Sequence, residues 1–238
     1  YLRANEYLDT LYLVIYLFHM PAFILISGHF SRKIKSWEDV KKLIKTLLLP
    51  YVIFQLIYSF YYMKVFSDPI EFALFEPRYA LWFLLSMLLW KVMLSIFGNH
   101  KVMIVVSIIL SLFIGYISEI NEWLSLSRTF FFFPFFLMGY YVNREAFEKL
   151  KNKWNVRIAS VGSLLLIVFV YYFGDVRWQE WFLGRVPYED INYIIFDSAV
   201  ISRLIIYLLM IGSVYLFLTL VPTKQRWYTV IKKKTLTV

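Results

Sequence analysis

Long apolar runs separated by short polar links constrain this chain more than any other feature. Each run approaches the roughly 20 residues that a helix needs to cross a bilayer, and 61% of the chain is hydrophobic, well above the share in soluble domains. The sequence therefore predicts an all-α fold, a polytopic transmembrane helical bundle with about seven spans in this portion. The runs lie at 8–30, 44–63, 80–97, 102–118, 123–143, 156–173 and 200–221.

Basic residues are distributed unevenly among the links. Lys and Arg are frequent at 31–46, at 144–155 and after residue 221, whereas 64–79 and 174–199 hold few. Because basic residues favour cytosolic links, we expect the N-terminus outside and the C-terminus inside. The net charge of +9 comes from these links, so it does not indicate a nucleic-acid partner.

Both ends of the sequence are expected to be cut. An external N-terminus requires an earlier span in a protein that starts in the cytosol, and residues 234–238 read as the start of another apolar segment. We therefore expect residues 1–238 to form a single integral-membrane domain, truncated at both ends. Cysteine is absent, which excludes a disulfide framework and a thiolate nucleophile, and the sequence shows no metal-ligand spacing.

His19 is the first candidate for a functional residue. It lies eleven residues after Leu8, near the middle of the first run, and two residues before Pro21. Placing an ionisable side chain inside a membrane costs free energy, so such a residue usually has a function. Proline has no N–H, so it leaves a backbone carbonyl that needs another hydrogen-bond partner. The alternative is a histidine that hydrogen-bonds a neighbouring helix for packing only. His29 is expected at the cytosolic interface and His100 in a loop.

Two arginines inside predicted spans are candidates near the external face. Arg128 and Arg203 always carry charge, so each needs a partner or a water-filled cavity, and either could bind an anionic or hydroxyl-rich group. Snorkelling to the surface is the alternative. Trp178 and Trp181 lie in the external segment 174–199, whose aromatic and charged residues suit either sugar binding or an ordinary amphipathic loop.

A basic cluster precedes the second run. Helical spacing can place Lys41, Lys42 and Lys45 on one face, where their ammonium groups could bind a phosphorylated donor. The alternative is that these lysines only set the topology. The chain contains no glycine-rich phosphate loop and no nucleophile elbow, so the sequence does not support the chemistries of those soluble enzymes.

Taken in order, several phrases of the sequence resemble the acyltransferase-3 family of membrane acyltransferases, and within it the branch related to fucose 4-O-acetylase. Several phrases in the right order are fairly specific, whereas any one alone would be weak. The phrases are Phe18-His19-Met20-Pro21, Ser27-Gly28, Lys42-x-x-Lys45, Leu49-Pro50-Tyr51, Trp82-Phe83-Leu84, Arg128, Phe133-Pro134-Phe135-Phe136, Gly139-Tyr140, Arg203 with Tyr207, and Lys234-Thr235-Leu236.

This resemblance implies a transferase that moves an acyl group, usually acetyl from acetyl-CoA, to a hydroxyl of an envelope polysaccharide or a lipid-linked glycan. It also implies a multi-pass protein of a cell membrane, most simply a bacterial plasma membrane. The partners would be membrane lipid, acyl-CoA and the glycan acceptor, with no metal and no nucleic acid.

Roles for individual residues follow from the same resemblance. The catalytic histidine of the family lies on a span earlier than those of this sequence, so His19 would act directly or would support that histidine. Many family members have arginines where this chain has its two donor-side lysines. Together with the candidates identified from the residues above, the expected roles are catalytic for His19 and Arg128, donor-binding for Lys42 and Lys45, and acceptor-binding for Arg203, Trp178 and Trp181.

The alternative function is a transporter or flippase for a glycolipid or polysaccharide. In that case His19 and the arginines would line a permeation path and no bond would be made. A repeat between the two halves of the chain would favour transport. The proline-broken runs around Pro21, Pro50 and Pro134 are unevenly spaced and have different flanking phrases, so they give no sign of a repeat.

Overall fold

The structure, a computed structural model, describes residues 6–66, 75–97, 100–118, 123–191 and 198–222. Within these ranges every regular element is helical, which confirms the all-α prediction. Short 3-10 turns include Tyr79–Leu81, Trp123–Ser125, Val176–Trp178 and Tyr188–Asp190. The longer helices are α1 (Glu6–His29), α2 (Trp37–Leu43), α3 (Leu49–Phe66), α4 (Trp82–Phe97), α5 (Met103–Ile114), α6 (Leu126–Tyr141), α7 (Arg144–Leu150), α8 (Lys153–Phe173), α9 (Gln179–Leu183) and α10 (Ala199–Leu220).

Each predicted apolar run coincides with a helix, but the helices differ in length. α5 has 12 residues and α6 has 16, so they extend only about 18 and 24 Å against a hydrocarbon core of about 30 Å. The count of seven spans therefore stays a prediction. The basic residues from 224 to 234 lie outside the described residues. Five described helices are long and apolar enough to cross a membrane, namely Glu6–His29, Trp37–Val65, Tyr79–Phe97, Lys153–Phe173 and Ala199–Leu220.

α6 lies at the centre of the bundle, where it packs against α1, α4 and α5. Four of its phenylalanines, Phe131, Phe132, Phe135 and Phe136, are at most 1% exposed. α1 packs in addition against α8 and α10. Because lipid is as apolar as these side chains, close packing rather than removal from water holds such helices together. The aromatic layer on α6 is therefore the main contact surface of the bundle.

Two glycines set the distance between α1 and α6. A Cβ atom at Gly28 would fall 2.9 Å from the carbonyl carbon of Phe136, and one at Gly139 would fall 2.7 Å from the carbonyl carbon of Leu25. Both nearby atoms belong to helix backbones, so they can move only if a whole helix moves. The two helices thus approach this closely because both positions lack a side chain, which explains two of the family-like phrases structurally.

Pro134 interrupts the hydrogen-bond ladder of α6, since proline has no N–H to donate. Side chains from two other helices bond carbonyls near it. Trp90 Nε1 of α4 donates to the Thr129 carbonyl at 2.7 Å, and Tyr207 Oη of α10 donates to the Phe131 carbonyl at 2.7 Å. Because polar backbone groups need such partners in a membrane interior, these bonds fix α4 and α10 to the proline-broken part of α6.

α2, a π-helical turn at Ile44–Leu48 and α3 follow one another without a break. The Leu49 N–H donates to the Ile44 carbonyl, five residues back, and the next residue, Pro50, has no N–H to give. A proline at this point accounts for the widened turn. Ser36 and Asp39 form a capping box at the start of α2.

The bundle has two chemically different ends, which we name the basic end and the opposite end. The basic end holds the last residues of α1, α6 and α10 together with α2 and α7, and in the predicted topology it faces the cytosol. The opposite end holds the start of α1, where Tyr7 stacks on Tyr171 of α8 at 5.8 Å between ring centroids. The cations that line cavities at the basic end are Arg32, Lys33, Lys35, Lys42, Lys91, Arg144 and Lys151.

Candidate functional site

A pocket of about 330 Å³ lies at the basic end between the end of α1, the α2 helix and α4. We call it the basic pocket. Four cations and a single carboxylate line it, so its field favours an anionic ligand. Its lining residues are Phe30, Arg32, Lys33, Ile34, Asp39, Lys42, Leu43, Thr46 and Lys91.

Hydrogen bonds fix the shape of the basic pocket. The Ile34 N–H donates to Ser95 Oγ at 2.9 Å, and Ser95 Oγ donates to the Lys91 carbonyl at 2.8 Å, which ties the link after α1 to α4. Asp39 Oδ2 accepts from the Lys35 and Ser36 N–H groups at 2.9 and 3.1 Å. The only carboxylate of the pocket is thus engaged with the backbone, and four cations share the lining with it.

The structure separates the three lysines that the sequence predicts to share one face. Lys42 lines the basic pocket, Lys41 pairs with Glu38 at 2.9 Å, and Lys45 lies exposed on the π-helical turn, outside the pocket lining. The shift from α-helical to π-helical turns changes the direction of Lys45 relative to Lys42. Donor binding by both residues stays a prediction.

Sequence reasoning missed Arg32, Lys33 and above all Lys91 as residues of the basic pocket. Lys91 lies within α4, the helix of the apolar run 80–97. A charged residue inside a predicted span is a signal that could have identified it, because such residues are rare in lipid and face protein or water. The partners that complete the pocket come from α1 and α2, which the sequence could not indicate.

His19 lies exposed on the side of α1 that faces away from α6 and α10. Apolar residues spaced three or four positions apart share this side, as expected for one helical face. His19 is therefore a polar group in the middle of an open apolar face of α1, and its catalytic or supporting role stays a prediction. This exposed strip comprises Leu11, Ile15, His19, Phe23, Ile26 and Phe30.

Three rings connect Arg128 with the exposed strip. The Arg128 Cζ atom lies 5.1 Å from the centroid of the Trp82 ring, within cation–π range. Trp82 contacts Phe83 edge to face at 6.3 Å, and Phe83 contacts Phe23 of α1 at 4.9 Å. Phe23 lies one helical turn from His19. The two predicted catalytic residues thus border the same side of the bundle.

Arg203 is buried rather than exposed at the surface. It is 1% exposed, its Nη1 donates to the Ser111 carbonyl at 3.2 Å, and its Cζ lies 5.1 Å from the Phe131 ring and 4.6 Å from the Tyr188 ring. Its burial excludes snorkelling to the surface. Acceptor binding by Arg203 stays a prediction, because protein side chains cover the guanidinium.

Hydroxyl groups surround the buried arginine. Burial raises the pKa of Tyr188, and its hydroxyl donates to the Leu112 carbonyl at 3.2 Å. The hydroxyls of Tyr207 and Ser111 are hydrogen-bonded to each other. Together with the Tyr207 bond to the Phe131 carbonyl, these contacts join α5, α6 and α10 around one charge.

Tyr207→Phe is expected to lower the free energy of unfolding by about 1–3 kcal/mol, because a buried carbonyl and a buried hydroxyl lose their partner. Thermal unfolding in detergent measures the effect. Tyr215→Phe is the matched control, since Tyr215 lies on the same helix and has no hydrogen bond to a described side chain or carbonyl. Equal melting temperatures for the two variants would contradict the prediction.

Trp178 and Trp181 lie in the core rather than at the surface. They are 8% and 0% exposed, and their rings contact Phe169 at 6.4 Å and Tyr188 at 5.8 Å. Both indoles attach the segment after α8 to the bundle. Stacking on an acceptor sugar would require that segment to open, so the acceptor role of these rings stays a prediction.

The described residues contain no group of three or more histidines and carboxylates arranged to hold a metal ion. The fold and the basic pocket thus define an integral membrane protein with a cation-lined cavity at one end. The model of the acyltransferase-3 family, an acyltransferase domain, matches residues 2–236. The chain belongs to this family and is a membrane acyltransferase. No curated protein and no solved structure was found to match it significantly.

Proposed function

We propose that this membrane acyltransferase takes an acetyl group from acetyl-CoA in the cytosol and transfers it to a hydroxyl of an envelope polysaccharide or a lipid-linked glycan. The family supports acyl transfer in general. The basic pocket is the observation that carries the CoA part of the proposal, because phosphate groups are the anions that clustered Lys and Arg side chains bind best.

The position of the basic pocket suits a donor that enters from the cytosol. Phe30 lines the pocket and also belongs to the exposed strip. A donor with its phosphates on Lys42 and Lys91 could extend past Phe30 along α1, towards His19. His19 lies eleven residues, or about 16 Å, from Phe30 along the helix. This route connects a cytosolic phosphate site with a group inside the predicted membrane span.

The chemistry along this route is acyl transfer from a thioester. The acceptor hydroxyl attacks the thioester carbonyl and loses its proton to a base, the carbon–sulfur bond breaks, and CoA leaves as the thiol after taking up a proton. His19 is our candidate for accepting the proton or for orienting the group that does. Arg128, behind Trp82 and Phe83, is the candidate for holding the acceptor near the opposite end of the bundle.

The branch related to fucose 4-O-acetylase is part of this proposal. Its phrases around His19, Pro21 and Gly28 all lie on α1, and the phrases around Pro134 and Gly139 lie on α6, the helix that packs closely against α1. The support for the branch is therefore that these five positions of its phrases lie on one closely packed helix pair. A sugar hydroxyl as acceptor is what the branch predicts.

His19→Ala is expected to lower acetyl transfer by about 100-fold or more, the usual contribution of a positioned base. The test uses the full-length protein in sealed proteoliposomes, radiolabelled acetyl-CoA outside and polyprenyl-linked oligosaccharides as acceptor, with label on the saccharide as readout. His100→Ala is the matched control, since His100 is an exposed residue outside the helices. The control should retain full activity.

Two outcomes of this experiment would each contradict one part of the proposal. Movement of the lipid-linked saccharide across the bilayer with no label attached would favour the transporter. Label transfer that His19→Ala leaves unchanged would remove His19 from the reaction while keeping the transferase.

A further inference from the structure

A second, larger cavity of about 750 Å³ lies at the basic end between α1, α7 and α10. We call it the apolar pocket. Five of its lining side chains are hydrocarbon or aromatic, and Phe30 separates it from the basic pocket, whose lining it shares. The proposed donor route passes Phe30, but the proposed acyl transfer assigns no role to the walls that α7 and α10 contribute to this cavity. The five apolar residues are Ile26, Phe30, Phe147, Leu218 and Val221.

Charged groups border the apolar pocket. Arg144, Lys151 and Glu148 complete its lining together with His29, so cations outnumber carboxylates by two to one. Arg144 Nε bonds Glu148 Oε1 at 3.2 Å, and the Arg144 side chain is 89% exposed, which leaves its terminal nitrogens open to a ligand. Lys151 Nζ donates to the last carbonyls of α10, including that of Thr219 at 3.1 Å.

His29 adds an imidazole ring to this rim. Its Nδ1 lies 3.0 Å from the carbonyl oxygen of Val142, and because a carbonyl can only accept, Nδ1 carries the proton. Nε2 is then a hydrogen-bond acceptor when the ring is neutral. The Phe147 ring holds the imidazole from the side, at 5.0 Å between centroids.

We infer that the apolar pocket binds one anionic phospholipid of the cytosolic leaflet. One hydrocarbon chain lies against the apolar wall, and the headgroup phosphate binds Arg144, with His29 Nε2 accepting from a headgroup hydroxyl. Lys151 adds positive charge nearby, while its three N–H groups stay on the carbonyls at the end of α10. The volume is within the range of sites for small organic ligands. Basic pockets between helices at a cytosolic membrane surface are suited to anionic headgroups.

The apolar wall and the charged rim of the pocket together indicate the chemical class of its ligand. A free phosphate or nucleotide would leave the five apolar side chains in contact with water. A neutral hydrocarbon would leave the terminal nitrogens of Arg144, whose Nε already pairs with Glu148, without a ligand anion. A phospholipid provides a hydrocarbon chain for the apolar wall and a phosphate for the charged rim. In the predicted topology the pocket also lies at the depth where headgroup and chain meet. Its wall includes the ends of α1 and α10, and its charged rim lies on α7 and the residue after it.

Native mass spectrometry of the full-length protein from lipid nanodiscs tests this inference. One set of discs contains phosphatidylcholine alone, and the other contains phosphatidylcholine with phosphatidylglycerol. We expect one phosphatidylglycerol retained per protein. Leu218→Trp, which fills the pocket, should reduce retention by about tenfold or more, whereas Leu208→Trp should not, because Leu208 is 69% exposed on the same helix.

A second pair of variants tests the charge. Arg144→Gln should weaken phosphatidylglycerol retention several-fold, since it removes a charge-assisted hydrogen bond to the headgroup phosphate at a solvent-exposed position. Arg157→Gln is the matched control, because Arg157 is exposed on α8 and lies over the Trp154 ring at 5.3 Å, outside the pocket. Circular dichroism spectra of all variants are the control for correct folding.

Three results would overturn the inference. Equal retention of phosphatidylcholine and phosphatidylglycerol would remove the anionic specificity. Retention that Leu218→Trp leaves unchanged would place the lipid elsewhere. Displacement of the lipid by a long-chain acyl-CoA would assign the pocket to the donor instead. None of these results depends on acetyl transfer, so the inference and the proposed function fail separately.

Discussion

Gly139→Ala is expected to remove most of the folded protein from the membrane fraction. The added methyl carbon would fall 2.7 Å from the carbonyl carbon of Leu25 and closer still to its oxygen. Because both groups belong to helix backbones, α1 and α6 must move apart. That movement breaks the central packing of the bundle, including the bond that holds His29 Nδ1 to the Val142 carbonyl.

The expected loss exceeds about 4 kcal/mol, which is exceptional for a single substitution and occurs where overpacking disrupts a core contact. Fluorescence-detected size exclusion after mild solubilisation measures the fraction of monodisperse protein. Gly212→Ala is the matched control: it is a helical glycine of α10 with open space where a Cβ would lie, and alanine there should be neutral or stabilising. Similar elution profiles for the two variants would contradict the close packing of α1 on α6.

A double variant, Lys42→Gln with Lys91→Gln, is expected to weaken acetyl-CoA binding by about 100-fold. Each charge-assisted bond to a phosphate contributes about 1.5–3 kcal/mol, and 1.4 kcal/mol corresponds to a factor of ten in affinity. The two lysines come from different helices and meet in the basic pocket. Isothermal titration of the full-length protein with acetyl-CoA measures the dissociation constant.

Lys45→Gln distinguishes binding in the basic pocket from attraction by the overall positive charge of the basic end. Lys45 is exposed and outside the pocket lining, so its loss should change the dissociation constant less than about threefold, as for screened surface charges. An equal effect of Lys45→Gln would support the sequence prediction that Lys42 and Lys45 act together. Unchanged binding by the double variant would remove the donor from the basic pocket.

Local patterns in the sequence were enough to predict the helices and the family. An apolar run of about 20 residues forms a helix in a bilayer because only a helix satisfies all its own backbone groups there. The positions of α1, α4, α8 and α10 follow from this rule. The family inferred from the phrases agrees with the family whose model matches residues 2–236. The lengths of α5 and α6 were less predictable, since breaks at Gly115 and around Trp123 shorten them.

The tertiary structure decided which residues meet, because packing joins positions that are far apart in the chain. Gly28 and Gly139 carry no periodic signal, yet their missing side chains set the distance between α1 and α6. The same packing buries Arg203 and Trp181 and leaves His19 open. Composition and spacing assign a residue to a helix, but the direction in which its side chain points depends on the neighbours that cover the other faces of that helix.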